Sequence, residues 1–594
     1  MRYNLCKLYI YMPGGLLNII AYGNANIILN GNPSKTFFKT VYAKHTNFGM
    51  QKFRLDYEGS RDIDPNNDSV YTFKIPRNAE LLMDTYLVFS LPDIWSTILP
   101  PLITGDMWKP YHFKWNKQLG TGMIKNIQIL IGPQVIQEYD GQYIRCMAER
   151  DYDEDRKKMF DHMTGNVIEL NEPQKFGGRR LGAGIDYPNA FFTPNIVGPE
   201  PSIRGRKIYI PLASWFSKSS KLALPLVSLQ YSEVIVKVTL RPLYEMFTIN
   251  NVVSKAKDLE FIEESTSLDN GGASVVDYQK LKNAFYQRIQ PNFTIDRHQL
   301  YRFLQPPPNI QLFEDNYLNK VNNWNADVHL IANYGFLTME ESNVFALNEQ
   351  RYLLKEVKHT VFHDMTGTQK VKLDTNSLVC NWMWFYRRND VYKRNEWSNY
   401  TNWPSAIIPY QLERCPNESS YLLNDLIPIG PGKDPKDNNT GINHTTAHHQ
   451  TPLFSIENQR NILNTFAIVI DGKYRENELD SGVYNYIEKF RSTNSSNDSG
   501  IFHYNFCLDT TNYLQPTGAM NLNRFKSIEF EMNTILPPVD PNYEALTLCD
   551  ENGGIIGVTK EEPIYRYTYD MHLYEERYNV LRIMSGNGGL LFAH

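Results

Sequence analysis

The sequence predicts a mainly β chain built as two sandwiches or barrels joined by a linker. Three observations carry that reading: period-two alternation recurs in separate stretches, helical periodicity is confined to two short segments, and the alternation lapses over a long middle region rich in breakers. Alternation is clearest in YSEVIVKVTL, where Val234, Val236, Val238 and Leu240 share one face and Glu233, Lys237 and Thr239 the other. Ile127, Ile129 and Ile131 alternate likewise, and a Gly132-Pro133 break leads into a second strand through Val135. Ile528, Phe530 and Met532 alternate with Ser527, Glu529 and Glu531. Near the C-terminus Tyr565, Tyr567, Tyr569, Met571 and Leu573 line one face, with Arg566, Thr568, Asp570 and His572 opposite. Successive strand side chains point to opposite sheet faces, so this pattern predicts half-buried antiparallel strands.

Thr338-Met-Glu-Glu341 reads as a capping box that opens a short helix through Leu347, because Thr and Glu can satisfy each other's orphan amides. Residues 141–163 are expected to form one further helix, its acids Asp151, Asp153 and Asp155 standing ahead of Arg156–Lys158 on a solvated face. From about 246 to 324 strand periodicity fades, and Asn270-Gly-Gly272 and Pro306–Pro308 mark a connector. Residues 393–450 and 490–500 are dense in Asn, Pro, Thr, Ser and Gly and are expected to be long loops. No repeat at a period of about 20–50 residues is visible, which disfavours solenoids and propellers.

A chain of 594 residues is long enough for two to four domains and more than one core. With 42% hydrophobic, 13% aromatic and 21% charged residues it is too apolar for wholesale disorder. A net charge of −5 provides no global basic field of the kind a nucleic-acid binder shows. The longest apolar stretches, such as Leu16–Ala21, fall short of the roughly 18–20 residues that span a bilayer. The opening MRYNLCKLYIYMPGGLL has an apolar run broken by polar residues and no small-residue cleavage site, so no secretory signal is expected. Cys6, Cys146, Cys380, Cys415, Cys507 and Cys549 lie far apart without a CxxC, and read as buried thiols in a reducing compartment.

Motifs for chemistry are few. Gly430-Pro-Gly-Lys433 lacks the spacing of a phosphate loop and reads as a turn, and Gly178-Arg-Arg-Leu-Gly182-Ala-Gly184 as a flexible loop. No G-x-S-x-G or H-E-x-x-H occurs. His444, His448 and His449 have the i, i+4 spacing of paired metal ligands, but poor helix formers surround them and no acid or Cys joins them, so they read as a solvated loop. The acids Asp151, Asp153, Glu154 and Asp155 lack the glycine and terminal Glu of a calcium loop. No catalytic residue, metal ligand or cofactor site is therefore expected. N-x-[ST] sequons occur at Asn67, Asn292, Asn399, Asn417, Asn438, Asn443, Asn494 and Asn497. Those from Asn399 onward sit largely in the polar loops and are candidates for a glycan-bearing surface, although Asn- and Thr-rich loops also generate sequons by chance.

Several segments together resemble a known family. Met12-Pro-Gly-Gly-Leu-Leu-Asn-Ile-Ile-Ala-Tyr-Gly23, Leu29-Asn-Gly-Asn-Pro33 and Thr36-Phe-Phe-Lys-Thr-Val-Tyr-Ala-Lys-His-Thr-Asn-Phe48 resemble the amino-terminal signature of major capsid proteins from nucleocytoplasmic large DNA viruses. Ile124-Lys-Asn-Ile-Gln-Ile-Leu-Ile-Gly132, Ile210-Pro-Leu-Ala-Ser-Trp-Phe216 and Leu222-Ala-Leu-Pro-Leu-Val-Ser-Leu-Gln-Tyr231 continue the match. Tyr334-Gly-Phe-Leu-Thr-Met-Glu-Glu341, Gln515-Pro-Thr-Gly518, Asn521-Leu-Asn-Arg524 and Tyr578-Asn-Val-Leu-Arg-Ile-Met-Ser-Gly586 complete it in family order. The extra length in the linker and the 390–510 loops makes the chain most similar to the mimivirus-type branch.

The resemblance implies a double jelly roll, two eight-stranded antiparallel β-sandwiches with short helices and long loop insertions. It implies an N-terminal arm over 1–30, a first jelly roll over 31–245, a connector over 246–324 and a second jelly roll over 325–594, with outer-surface loops around 393–450 and 490–515. The implied function is structural rather than enzymatic: homotrimers form pseudo-hexagonal capsomers of an icosahedral shell in the virion, assembled in the host cytoplasm. Implied partners are further copies of the chain, minor capsid proteins and the internal viral membrane surface, with no sequence-specific nucleic acid and no cofactor. Candidate glycosylation sites are Asn399, Asn417, Asn438, Asn443, Asn494 and Asn497. Lys35, Phe37, Phe38, Lys39 and Lys44, a basic and aromatic stretch, are candidate inner-face contacts of the arm. The competing expectations are a minor capsid or spike protein of the same lineage, and a carbohydrate-binding or carbohydrate-active β-sandwich.

Overall fold

The alternating stretches over 127–131, 234–240 and 528–532 become strands, and the C-terminal one does so from Tyr569; Tyr565 and Arg566 lie outside the described residues. The computed structural model describes residues 14–59, 62–96, 98–99, 109–110, 113–173, 200–250, 266–268, 274–276, 288–306, 319–402, 460–494, 500–536, 547–549, 555–558 and 567–592. In the first half the principal strands are β1 (Phe48–Leu55), β2 (Ser69–Lys74), β3 (Leu81–Ser90), β4 (Ile124–Ile131), β5 (Gln134–Tyr139), β6 (Lys207–Pro211), β7 (Val234–Leu240) and β8 (His329–Leu337). They form two antiparallel sheets, ordered β1-β8-β3-β6 and β2-β7-β4-β5. The second half contributes β9 (Gln350–Phe362), β10 (Thr368–Lys372), β11 (Leu378–Arg388), β12 (Leu463–Ile470), β13 (Lys473–Asp480), β14 (Ile501–Asn505), β15 (Ile528–Thr534) and β16 (Tyr569–Met584). Their sheets run β9-β16-β11-β14 and β10-β15-β12-β13. Adding eight to each strand number of the first half reproduces the second, so one eight-strand order, that of a jelly roll, occurs twice.

Each pair of sheets closes over its own core. In the first, Ile127, Ile129, Val236 and Val238 meet Leu87, Phe89, Ile210 and Leu330 from the facing sheet. Gly132 takes a φ of +60° in the hairpin between β4 and β5, a conformation that costs glycine little. In the second sandwich Trp382, Trp384, Phe502 and Met571 meet Phe466, Phe530 and Met532.

Residues Met1–Asn47 form a compact unit separate from Phe48–His594, so the arm is longer than the expected 1–30 and the first sandwich starts at Phe48 rather than at 31. Its described part holds two one-to-two-turn helices, α1 (Gly14–Ile20) and α2 (Asn24–Asn30), and no strand.

Among the helices that link the strands, the three longest described ones carry side-chain caps. Asp140 caps α3 (Gly141–Asp151), its carboxylate accepting from Tyr143 N at 2.7 Å. Asp153 caps α4 (Glu154–Thr164) in the same way through Arg156 N, at 2.8 Å. The single helix expected over 141–163 is thus two, because Asp153 bonds the backbone as a cap and Tyr152 before it is extended. Helix α5 (Met339–Leu347) starts where expected with half of the expected box: Thr338 Oγ1 accepts from Glu341 N at 3.4 Å, while Glu341 Oε2 has no hydrogen-bond partner among the described residues.

The expected domain boundary at 325 is corrected by strand pairing. β8 lies between β1 and β3, so the first sandwich runs to Leu337 and α5 leads into the second. The described parts of the expected connector 246–324 are no linker either. Phe247, Ile249, Ile289, Leu300 and Phe303 are buried in the first core, where aromatic packing rather than strand periodicity holds them. Asn270–Gly272, Pro307 and Pro308 lie outside the described residues.

Candidate functional site

The two sandwiches meet along a polar seam, and this joint is the most elaborate arrangement of charged groups in the described chain. It forms because the β9-β16-β11-β14 sheet is covered on both faces. Met571, Leu573, Trp382 and Trp384 point into the second sandwich, whereas Tyr574, Met383 and Phe385, the alternate residues, belong to the first core. The strand β16 is consequently buried on both sides along most of its length, which departs from the half-exposed strand expected there. His572, expected on a solvent face, is buried.

Glu576 of β16 sits at the centre. Its side chain and that of Arg150 on α3 are both 0% exposed, with Arg150 Nη2 to Glu576 Oε1 at 3.0 Å. Tyr143 Oη donates to Glu576 Oε1 at 2.8 Å, and Asn381 Nδ2 to Oε2 at 2.7 Å. Lys355 Nζ of β9 lies 3.5 Å from Oε2 and donates to Thr510 O at 2.8 Å. Arg150 also grips Asp151 through Nε and Nη2, at 2.7 and 2.8 Å. Thr510 Oγ1 and Tyr513 Oη donate to the two Asp151 oxygens, each at 2.9 Å. Asp151 is therefore not on the solvated helical face expected of it: Arg150 neutralises it, and two hydroxyls of the second sandwich bond it.

Burial alone would raise the Glu576 carboxyl, yet Arg150 and Lys355 outweigh burial and hold it far below the usual carboxylate range. Burial works against the Lys355 ammonium in the same way, and the Glu576 charge leaves it above its ordinary value. Burial, then the Glu576 charge, pushes the Tyr143 hydroxyl well up. Such a set costs desolvation energy and favours one geometry, because a shift of the two halves breaks the Arg150–Glu576 pair and the Tyr143, Thr510 and Tyr513 bonds that cross the joint. The chemistry is that of a register pin: Arg150 and Tyr143 from the first sandwich lock onto Glu576 from the second.

Neutral bonds extend the seam. Asn395 Nδ2 donates to Tyr244 O and Phe247 O at 2.7 and 2.8 Å, Trp397 Nε1 to Glu245 O at 3.2 Å, and Gln137 Nε2 to Lys355 O at 3.1 Å. Arg145 reaches Tyr400 Oη at 3.0 Å and lies over its ring. Two expected outer loops are thereby corrected. Residues 393–402, expected at the outer surface, are packed into the joint, their polar side chains bonded to buried backbone rather than to water. Residues 490–515 include β14, buried along its whole length, and Thr510 and Tyr513 of the seam.

Asn399 is a further correction as a glycan acceptor. It is 0% exposed, and its Oδ1 accepts from Thr401 N and Oγ1 at 3.0 and 2.6 Å, leaving no room for a sugar. Asn494 and Asn67 are exposed and Asn292 is half-buried. Asn417, Asn438, Asn443 and Asn497 lie outside the described residues, as do Gly178–Gly184, Gly430–Lys433, His444, His448, His449, Cys6 and Cys415. Cys146, Cys380 and Cys507 are buried free thiols, as expected. Lys35, Phe37, Phe38, Lys39 and Lys44 are not buried within the arm's own unit. The described residues hold no group of three or more His, Cys, Asp or Glu placed to bind a metal, and no helix long and apolar enough to cross a membrane.

The seam residues Arg150, Glu576 and Lys355 were not singled out from the sequence. One signal was available: Glu575-Glu576-Arg577 interrupts an otherwise apolar and aromatic strand, and charges at such a place require partners.

Comparison with known proteins agrees with this architecture. Residues 36–279 match the family model described as "Major capsid protein N-terminus", and 341–589 match "Large eukaryotic DNA virus major capsid protein". The gap between the two matches brackets β8 and the start of α5. The major capsid protein of Phaeocystis pouchetii virus is 23% identical over 98% of this chain and 100% of its own length. Probable capsid protein 4 of Acanthamoeba polyphaga mimivirus is 22% identical over 98% and 99%. The crystal structure of PBCV-1 VP54, fitted into a cryo-EM reconstruction of the virophage Sputnik, superposes with a TM-score of 0.55 at 18% identity, covering 94% of this chain and all of that one. With both halves matched and the same paired sandwiches in a solved relative, the chain belongs to the major capsid protein family of large eukaryotic DNA viruses, structural proteins of the virion capsid.

Proposed function

We propose that three copies of this chain close into a homotrimer, and that the trimer tiles an icosahedral shell as a pseudo-hexagonal capsomer. The observation that carries the reading is the repeated strand order: one chain supplies two sandwiches of one topology, pinned together through Arg150 and Glu576. Three such chains present six similar wedges, and cyclic closure stops head-to-tail growth at three. Sandwiches suit a shell because their strands are paired within each sheet and only short edges remain for stray pairing.

The arm, with Lys35, Lys39 and Lys44 beside Phe37 and Phe38, faces the shell interior in this reading. There it contacts minor capsid proteins or an anionic internal membrane surface, each lysine near such a surface contributing about 1 kcal/mol. In this reading Asn417, Asn438, Asn443, Asn494 and Asn497 are the glycan candidates, and assembly takes place in the host cytoplasm.

Mass measurement in dilute solution tests the trimer: obligate interfaces bury more than about 2,000 Å², so fold and trimer should melt together. A stable folded monomer overturns it. For the arm, removal of residues 12–30 should leave soluble trimers that fail to build closed shells, and normal shells would refute the interior role.

A further inference from the structure

A second string of polar groups crosses the same joint, and the seam described above does not use it. Arg387 of β11, His572 of β16 and His359 of β9 come from the second sandwich, and Asp140, the α3 cap, from the first. Arg387 Nη2 lies 3.0 Å from His572 Nε2, His572 Nδ1 lies 3.1 Å from His359 Nε2, and His359 Nδ1 lies 3.5 Å from Asp140 Oδ2. The rings are held face to face: His359 stacks on Tyr574 at 4.4 Å and His572 on Phe385 at 4.9 Å. Tyr574 Oη donates to the same Asp140 carboxylate at 2.8 Å.

Only one placement of protons satisfies this string. A guanidinium donates and never accepts, so His572 Nε2 must be bare and its proton must sit on Nδ1. That proton points at His359 Nε2, which must also be bare, leaving the His359 proton on Nδ1 toward Asp140. Both imidazoles are thus neutral, with one fixed tautomer between a donor-only and an acceptor-only end. A further proton has no free site. On His359 Nε2 it would set two N–H groups against each other at 3.1 Å; on His572 Nε2 it would face the Arg387 cation at 3.0 Å.

We propose that this string is an acid-sensitive latch between the two sandwiches, closed while His359 and His572 are neutral and released when either takes up a proton. The groups around it set the direction. Burial, Arg387, His359, His363 and Arg241 all hold the His572 proton affinity down. Burial and Arg387 lower that of His359, and Asp140 works the other way. Nearby, His363 Nδ1 lies 3.1 Å from Asp570 and Arg241 pairs with Glu245 at 3.2 Å, so each already faces a carboxylate. Since the closed form binds fewer protons than the open one, the latch is at full strength above the ordinary imidazole value of 6.5 and weakens as pH falls below it. Asp140 directs the first proton to His359, at the cost of its bond with His572.

Hydrogen exchange read by mass spectrometry on the assembled wild-type protein, corrected for intrinsic rates, tests the latch between pH 7.5 and 5. Peptides from 140–151 and 350–362 should open about tenfold more for each pH unit and each proton taken up. The double variant His359→Gln, His572→Gln keeps one acceptor and one donor at each position without titrating, and should remove that rise. An equal rise in both proteins, or none in the wild type, overturns the latch. Should the double variant fail to fold, C2–H exchange of the wild-type histidines decides instead: both should titrate below the ordinary range, and either one titrating at or above 6.5 overturns the proposal.

Discussion

The two sandwiches share a strand order and fill it with different chemistry. The first core is mostly aliphatic along β4 and β7, where buried and half-exposed residues alternate almost without fault. The second is aromatic: Trp384 stacks on Phe466 at 4.5 Å, and Trp382 meets Phe530 edge-on at 5.0 Å. The difference follows from what covers each sheet. The β2-β7-β4-β5 sheet buries one face, so side-chain polarity reports the fold directly. The β9-β16-β11-β14 sheet buries both, one into its own sandwich and one against the first, so its polar residues are bonded partners rather than surface. Topology alone thus leaves open which sheet becomes the joint.

The largest effect expected of a single change tests the joint. Glu576→Gln leaves Lys355 a buried cation without its paired anion and Arg150 with Asp151 alone, and should cost about 3–5 kcal/mol in a denaturant titration at neutral pH. Because Glu576 is held below the usual carboxylate value of 4.5, its contribution is complete above that value and fades as pH falls beneath it, so the penalty should shrink in acid. Exchange protection should fall on α3 and β16 together; loss confined to one half would break the idea of a shared pin.

Trp384→Ala sharpens the contrast between the cores. It should cost about 3–5 kcal/mol, through a cavity among Phe466, Phe502 and Tyr484, with lost protection largely in the second sandwich. Its counterpart in the first, Ile129→Val, should cost only about 0.5–1.5 kcal/mol, measured by the same titration. Thr338→Ala removes the α5 cap in the link between them and should cost about 1 kcal/mol, with faster amide exchange at Glu341 as its local sign. The smallest effect belongs to shortening 433–448, which should leave the midpoint and the mass of the assembled protein unchanged, since loop-closure entropy varies slowly with length.

The sequence by itself determined the strands β4, β7, β15 and β16, the β-rich halves, the Thr338 cap of α5 and the family, because period-two burial, capping and in-order motifs are local properties that survive without contacts. It did not place the boundary expected at 325: only pairing with β1 and β3 assigns His329–Leu337 to the first sandwich. Nor could it tell polar residues facing water from polar residues facing a partner. Asn395, Asn399, Thr510 and Tyr513 read as loop, and the tertiary structure buries them by giving their polar atoms backbone, hydroxyl or carboxylate partners. Arg150 and Glu576 are 426 residues apart in a sense no local pattern records: each is costly to bury alone, and only the meeting of α3 with β16 makes both affordable.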